Sequence, residues 1–136
     1  MNAELKLIVF EEKNVLQELL ELLDSQYKAI IDNEILLLEN ITNKIEVVGR
    51  KLATIEIKRR NLIKEEDFKA IIENSEDDYV KSVYEDMKVL LGNLELQKDT
   101  NNLLIKQQLF FTNKMIKVIK PSKSISTYNS YGKISR

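Results

Sequence analysis

The sequence predicts an all-α fold: an antiparallel bundle of three long helices, built as a helical hairpin plus a long C-terminal helix, with a flexible C-terminal tail. Three observations carry this expectation. Apolar residues recur at three- and four-residue steps along most of the 136 residues, the period of a helix with one buried face. Leu, Ile, Glu and Lys dominate a composition that is 43% hydrophobic and 32% charged, the profile of long helices and coiled coils. Three glycines and one proline leave little punctuation for a many-turned fold. The length allows one domain, divided into a helical bundle over 1–120 and a flexible basic tail over 121–136.

The first helix is expected over 3–31, where Leu5, Ile8, Val15, Leu16, Leu19, Leu22, Leu23, Tyr27 and Ile30 repeat at helical spacing. Asp32-Asn33-Glu34 interrupts the pattern. Asn tolerates the left-handed conformation that closes a helix, and acidic residues suit the first turn of the next, so a tight turn is expected here. The alternative is one uninterrupted helix, because Ile30 to Leu37 spans one heptad. The second helix is expected over 34–64, with Leu37, Leu38, Ile41, Ile45, Val48, Leu52, Ile55, Leu62 and Ile63 as its stripe. Gly49 inside it costs about 1 kcal/mol against Ala and reads either as a close helix approach or as simple tolerance. Lys64 to Ser75 is a connection with one helical turn around Phe68 to Ile72. Ser75 with Asp78 has the spacing of a capping box that opens the last helix.

That helix is expected over 77–119. Val80, Val83, Tyr84, Met87, Leu90, Leu91 and Leu94 start its apolar face, the polar run Gln97 to Asn102 weakens it, and the face resumes at Leu103. Asn101 and Asn102 read as a kink, a buried specificity device or solvated amides, with solvation favoured. Pro121 ends the helix. At 1.5 Å per residue the first two helices are about 45 Å long and the last about 64 Å, so about 12 to 15 residues should project beyond the hairpin.

Several function classes are excluded by residue type. There is no cysteine and no histidine, so thiolate and imidazole metal sites, Ser-His and Cys-His nucleophile pairs and disulfides cannot be built. The scattered glycines form no phosphate-cradling loop. The carboxylates sit at the spacing of solvated helix faces; Glu56 and Arg59 read as a surface pair. Tyr27, Tyr79 and Tyr84 read as core or boundary aromatics. No enzyme, cofactor, metal or small-molecule substrate is expected. The net charge of -1 gives no nucleic-acid footprint, although the tail from Lys120 onward carries only positive charges. Glu4, Glu11 and Glu12 interrupt any apolar N-terminal signal, no stretch is long enough to span a bilayer, and a cytoplasmic protein is expected.

The C-terminal stretch is what remains for function. Leu103, Leu104, Gln107, Leu109, Phe110, Phe111, Met115, Ile116 and Ile119 make a helix that stays apolar to its tip, followed by a tail with Tyr128 and Tyr131. A patch of this kind is rarely left bare. It packs on the bundle or a second copy, or it offers a surface to a partner helix, for which Met115 and the phenylalanines are suited.

The order of local patterns resembles the FlgN-type flagellar type III export chaperones over nearly the whole chain. The resemblance runs through Gln26-Tyr27-Lys28-Ala29-Ile30-Ile31, then Leu38 to Val48, Leu52, and Ile55-Glu56-Ile57-Lys58-Arg59-Arg60-Asn61-Leu62-Ile63. It continues through Asn102-Leu103-Leu104-Ile105-Lys106-Gln107-Gln108-Leu109 and a tail around Tyr128-Asn129-Ser130-Tyr131-Gly132. Departures are Ile55 in place of a Leu, Asp32-Asn33-Glu34 where a Gly-Asp turn is common, and two tail tyrosines rather than one. The resemblance implies a chaperone that binds the C-terminal helical segment of hook-filament junction proteins, prevents their premature association and delivers them to the flagellar export gate. It implies that the helix matching 103–119 is the substrate side and that Tyr128 or Tyr131 docks to the gate. The competing readings are a self-associating coiled coil and a regulator that sequesters a transcription or assembly factor, whereas a chaperone is expected to be a monomer or a weak homodimer on its own. A self-associating seam needs unbroken heptads through the last helix, and the polar run at Gln97 to Asn102 argues against one.

Overall fold

The computed structural model describes residues 2–120, 127–128 and 134–135. Four helices follow in order: α1 (Ala3–Ile31), α2 (Ile35–Ile63), the short α3 (Phe68–Glu73) and α4 (Asp78–Ile119), then the two-residue strands β1 (Thr127–Tyr128) and β2 (Ile134–Ser135). The chain divides into two compact units, Met1–Asn101 and Asn102–Arg136. The first holds α1, α2, α3 and the N-terminal turns of α4. The second holds the C-terminal turns of α4 and the strand pair, antiparallel with Thr127 opposite Ser135 and Tyr128 opposite Ile134. The sequence pattern gave no sign of these strands. The rest of the expected flexible tail lies outside the described residues.

The turn between α1 and α2 is tight, as the Asn33 signal implied. Glu34 N–H donates to Ala29 O, and Asn33 N–H donates to Ile30 O. With Asn33 at φ 57, this is a Schellman closure, in which the left-handed residue lets two helical carbonyls find donors. It reverses the chain, so α2 runs antiparallel to α1. Asn2 caps α1 through its side-chain oxygen, which accepts from Glu4 N–H. α4 is capped by Asp77, whose carboxylate accepts from Tyr79 N–H and Val80 N–H. The expected Ser75–Asp78 capping box is thus corrected: Ser75 Oγ accepts from Asp77 N–H and orients the capping residue, one position before the acid that the spacing suggested.

α1 is the central helix, with two adjacent heptad stripes. Val9, Leu16 and Leu23 pack with Val80, Val83, Met87 and Leu94 of α4 and with Ile72 of α3. Ile8 and Val15 pack with Val48 and Ile55 of α2. Lys6 pairs with Asp77 at 3.0 Å and Lys13 with Asp86 at 3.6 Å, so α1 and α4 run parallel. The Lys6 ammonium, followed by the backbone donors of Val80 and Tyr79, holds the Asp77 carboxyl below the ordinary carboxylate range. A Cβ on Gly49 would meet open space, so that glycine is tolerated rather than required. Tyr84 meets Phe68 edge-on, while Tyr79 lies against Phe10 at the bundle surface.

Two polar contacts inside this core correct the sequence reading. Asn101 is not solvated: it is fully buried, at 0% exposure. Its Nδ2 donates to Leu23 O and to Gln26 Oε1, each at 2.9 Å, and its Oδ1 accepts from Gln97 Nε2. Gln26 in turn donates to Thr42 Oγ1, carrying the chain of bonds from α4 through α1 to α2. Arg59 does not form a surface pair with Glu56. It turns inward to Glu12 on α1, at 3.4 Å, and lays its guanidinium 4.5 Å from the Phe68 ring centre. The Glu12–Arg59 pair is close but unaligned, which leaves Glu12 Oε1 and Arg59 Nε without hydrogen bonds. Burial, at 3% exposure, raises the Glu12 carboxyl above its ordinary value, with Glu56 adding to the rise against the opposing pull of Arg59 and Arg60.

Two outcomes follow. Asn101→Ala strands the Gln26 amide in the core and should lower stability to urea by about 2 kcal/mol; a loss below about 0.5 kcal/mol, the level of a surface change, would show that the network is dispensable. For Glu12 the folded-state pKa lies above the unfolded one, so the folded state binds the proton more tightly. Its contribution is present below the unfolded value of about 4.3 and is lost as pH rises through the folded value. Urea titrations at acidic and neutral pH should therefore show wild type losing stability relative to Glu12→Gln as pH rises. An equal difference at both pH values would contradict the raised pKa.

Candidate functional site

The distal turns of α4 combine a regular backbone with an apolar surface. Among the residues of α4, none after Asn101 is buried. Leu103, Leu109, Phe110, Phe111, Met115 and Ile119 are exposed, the two phenylalanines at 63% and 65%. Leu104 and Ile116 are half-buried, and Gln107 is exposed.

Helical spacing sorts these residues into two sides. Adjacent residues on an α-helix are turned about 100° apart, so side chains three or four positions apart share a face. Phe111, Met115 and Ile119 follow one another at such steps, Leu104 lies one heptad before Phe111 on the same face, and Ile105, Leu109 and Ile116 stand beside them, giving an apolar face about half the circumference wide. The opposite side carries Lys106, Lys114 and Lys117, together with Leu103 and Phe110. Lys114 Nζ sits 4.9 Å from the centre of the Phe110 ring, a cation–π contact. Phe110 and Phe111, adjacent in sequence, therefore belong to different sides. The sequence reading gathered the apolar residues as one set and read Lys117 and Lys120 only as suiting the C-terminal helix dipole; the signal that finds the lysine side is the same three-and-four spacing applied to charge.

Of the tail tyrosines, Tyr128 lies in β1 and Tyr131 lies outside the described residues. A concave surface runs between α1 and α2, where a groove of about 460 Å³ has Val15 and Ile55 at its floor and Glu11, Glu18, Lys51 and Lys58 at its rim. Its mixed charges and open shape offer no converging chemistry. Among the described residues no group of acidic side chains is placed to hold a metal ion, and no helix is long and apolar enough to cross a membrane. The groups on distal α4 are mainly alkyl chains and aromatic rings, beside amides, ammoniums and the Thr112 hydroxyl, and they suit the covering of another surface.

A family model described as FlgN protein matches residues 1–136. No curated protein and no solved structure matches the chain.

Because its side chain stands outside the core, Phe111→Asp should leave stability to urea within about 0.5 kcal/mol of wild type while lowering the fluorescence of an apolar-surface dye. A large loss of stability instead would mean that Phe111 is structural.

Proposed function

Because the chain belongs to the FlgN protein family of flagellar export chaperones, we propose that it holds hook-filament junction proteins in the cytoplasm before export. It binds their C-terminal helical segment, prevents premature association and delivers them to the flagellar export gate. The observation that supports this reading is the exposed apolar face over 103–119. Faces of this kind on a soluble domain mark docking surfaces, and a helix laid along a helix uses anchors at the three- and four-residue spacing found here. Leu104, Leu109, Phe111, Met115, Ile116 and Ile119 serve as anchors, with Leu103, Gln107 and Phe110 at the edge. Burying each large apolar side chain contributes about 1.5–3 kcal/mol. After the cost of association, a handful of anchors suffices for the roughly 8 kcal/mol of a micromolar complex. Capture by a tail tyrosine, Tyr128 or Tyr131, supplies a gate contact separate from the substrate surface.

Light scattering on a size-exclusion column, with the chain alone and mixed with the junction proteins of the same source, tests this. A one-to-one complex should form, be lost in Phe111→Asp and Ile116→Asp, and persist when residues 121–136 are removed. Tyr128→Ala with Tyr131→Ala should reduce export and leave the complex intact. No complex, together with a stable oligomer of the chain alone, would replace this reading by a self-associating coiled coil.

A further inference from the structure

All 22 acidic residues of the chain lie within 1–99, against 14 basic ones, and every charged side chain beyond Asp99 is a cation. The consequence is visible along the helices. Within 1–99, Arg50 meets Glu46, Arg60 meets Glu56, Lys69 meets Glu73 and Lys88 meets Glu85 one turn away, while Lys44, Lys51 and Lys58, which have no acid at that spacing on α2, share grooves with Glu11 or Glu18 of α1. Lys106, Lys114 and Lys117 have no acid at that spacing, because the sequence supplies none. They line one side of a helix whose other side is apolar, and they stand exposed.

We infer that the segment docking on 103–119 is an amphipathic helix whose apolar stripe is flanked by Asp or Glu, with those carboxylates set against Lys106, Lys114 and Lys117. This rests on the docking role proposed above for the same helix. The lysines fix the complementary spacing. Lys106 and Lys114 are eight positions apart, about 12 Å along the axis, and Lys114 and Lys117 are three apart, about 4.5 Å. The matching carboxylates therefore stand about two turns and one turn apart on the incoming helix. A basic amphipathic helix can also lie in an anionic lipid surface, with its charged side in water. Here the lysine side itself exposes Leu103 and Phe110, at 57% and 63%. Insertion of the opposite face into lipid would leave both in water, whereas a partner helix seated along the boundary between the faces covers them and meets the ammoniums.

The test uses the full chain and the purified hook-filament junction proteins of the same source. Carbodiimide coupling joins a lysine to a carboxylate only when the two touch, so mass spectrometry of the coupled complex should show Lys106, Lys114 or Lys117 joined to Asp or Glu of the partner. Lys106→Glu, Lys114→Glu and Lys117→Glu together should raise the dissociation constant about tenfold or more. The three Lys→Arg changes should leave it nearly unchanged. Wild-type affinity should fall as salt rises from about 0.05 M to about 0.5 M. A complex that Phe111→Asp abolishes but the lysine reversals leave intact would overturn the acidic partner while the docking role stands. One that survives Phe111→Asp would remove the docking role and this inference with it. Capture by phosphatidylglycerol vesicles that the reversals abolish, with the protein complex unaffected, would overturn it in favour of a membrane surface.

Discussion

A buried amide holds α1 and α4 in a single register. The stripes that pack these helices repeat every seven residues, Val9, Leu16 and Leu23 on one side and Val80, Met87 and Leu94 on the other. Apolar contact is not directional, so a shift of one heptad would still bring apolar residues together. It would also bury Asn101 without Leu23 O and Gln26, and an unpartnered buried amide costs about 1–3 kcal/mol. The network thus selects one of several similar packings, as a single polar residue does in a coiled-coil seam. The Lys6–Asp77 and Lys13–Asp86 pairs, and the capping position of Asp77, follow from that register.

The same residue closes the first compact unit, and past it α4 continues for more than four turns with no buried side chain. Helices draw most of their stability in proteins from a packed face. A helix that keeps most of its apolar residues exposed over such a length forgoes much of that source along those turns. α1 shows the contrast: it spends two stripes on two neighbours and tolerates Glu12 at its centre, where the approach of Arg59 offsets part of the desolvation of the carboxylate.

Helix positions were legible in the sequence because they follow from local chemistry. The period of apolar residues placed α1 and α2 within a residue of their ends, and Asn33 marked the turn through its tolerance of positive φ. What escaped was the identity of partners distant in the chain. Asn101 reads locally as a poor helix former in a polar run, and only the approach of Leu23 and Gln26 makes it a core residue. Arg59 has Glu56 one turn away, yet the partner it meets is Glu12, far off in sequence. The apolar members of the candidate site were legible, since exposure and composition agree at Phe110, Phe111 and Met115. The division of the helix into an apolar and a lysine side was equally present in the spacing, but grouping residues by hydrophobicity merged Phe110 with Phe111 and hid it.

That division bears on selectivity. A face of Leu, Ile, Phe and Met gains affinity from any apolar stripe of adequate length, in either direction, and Met adapts to imperfect shapes. Such a face alone would serve a promiscuous binder. Charge behaves differently: juxtaposed like charges cost several kcal/mol, and opposite charges fix orientation and register. Confining every acid to residues 1–99 leaves distal α4 with cations that nothing on its own surface neutralises. In the docking proposed above, the helix would reject lysine-flanked stripes and, through the uneven spacing of Lys106, Lys114 and Lys117, would distinguish the two directions in which an acid-flanked helix could lie. On that proposal apolar burial would supply the strength of the contact, and the segregation of charge along the chain its polarity.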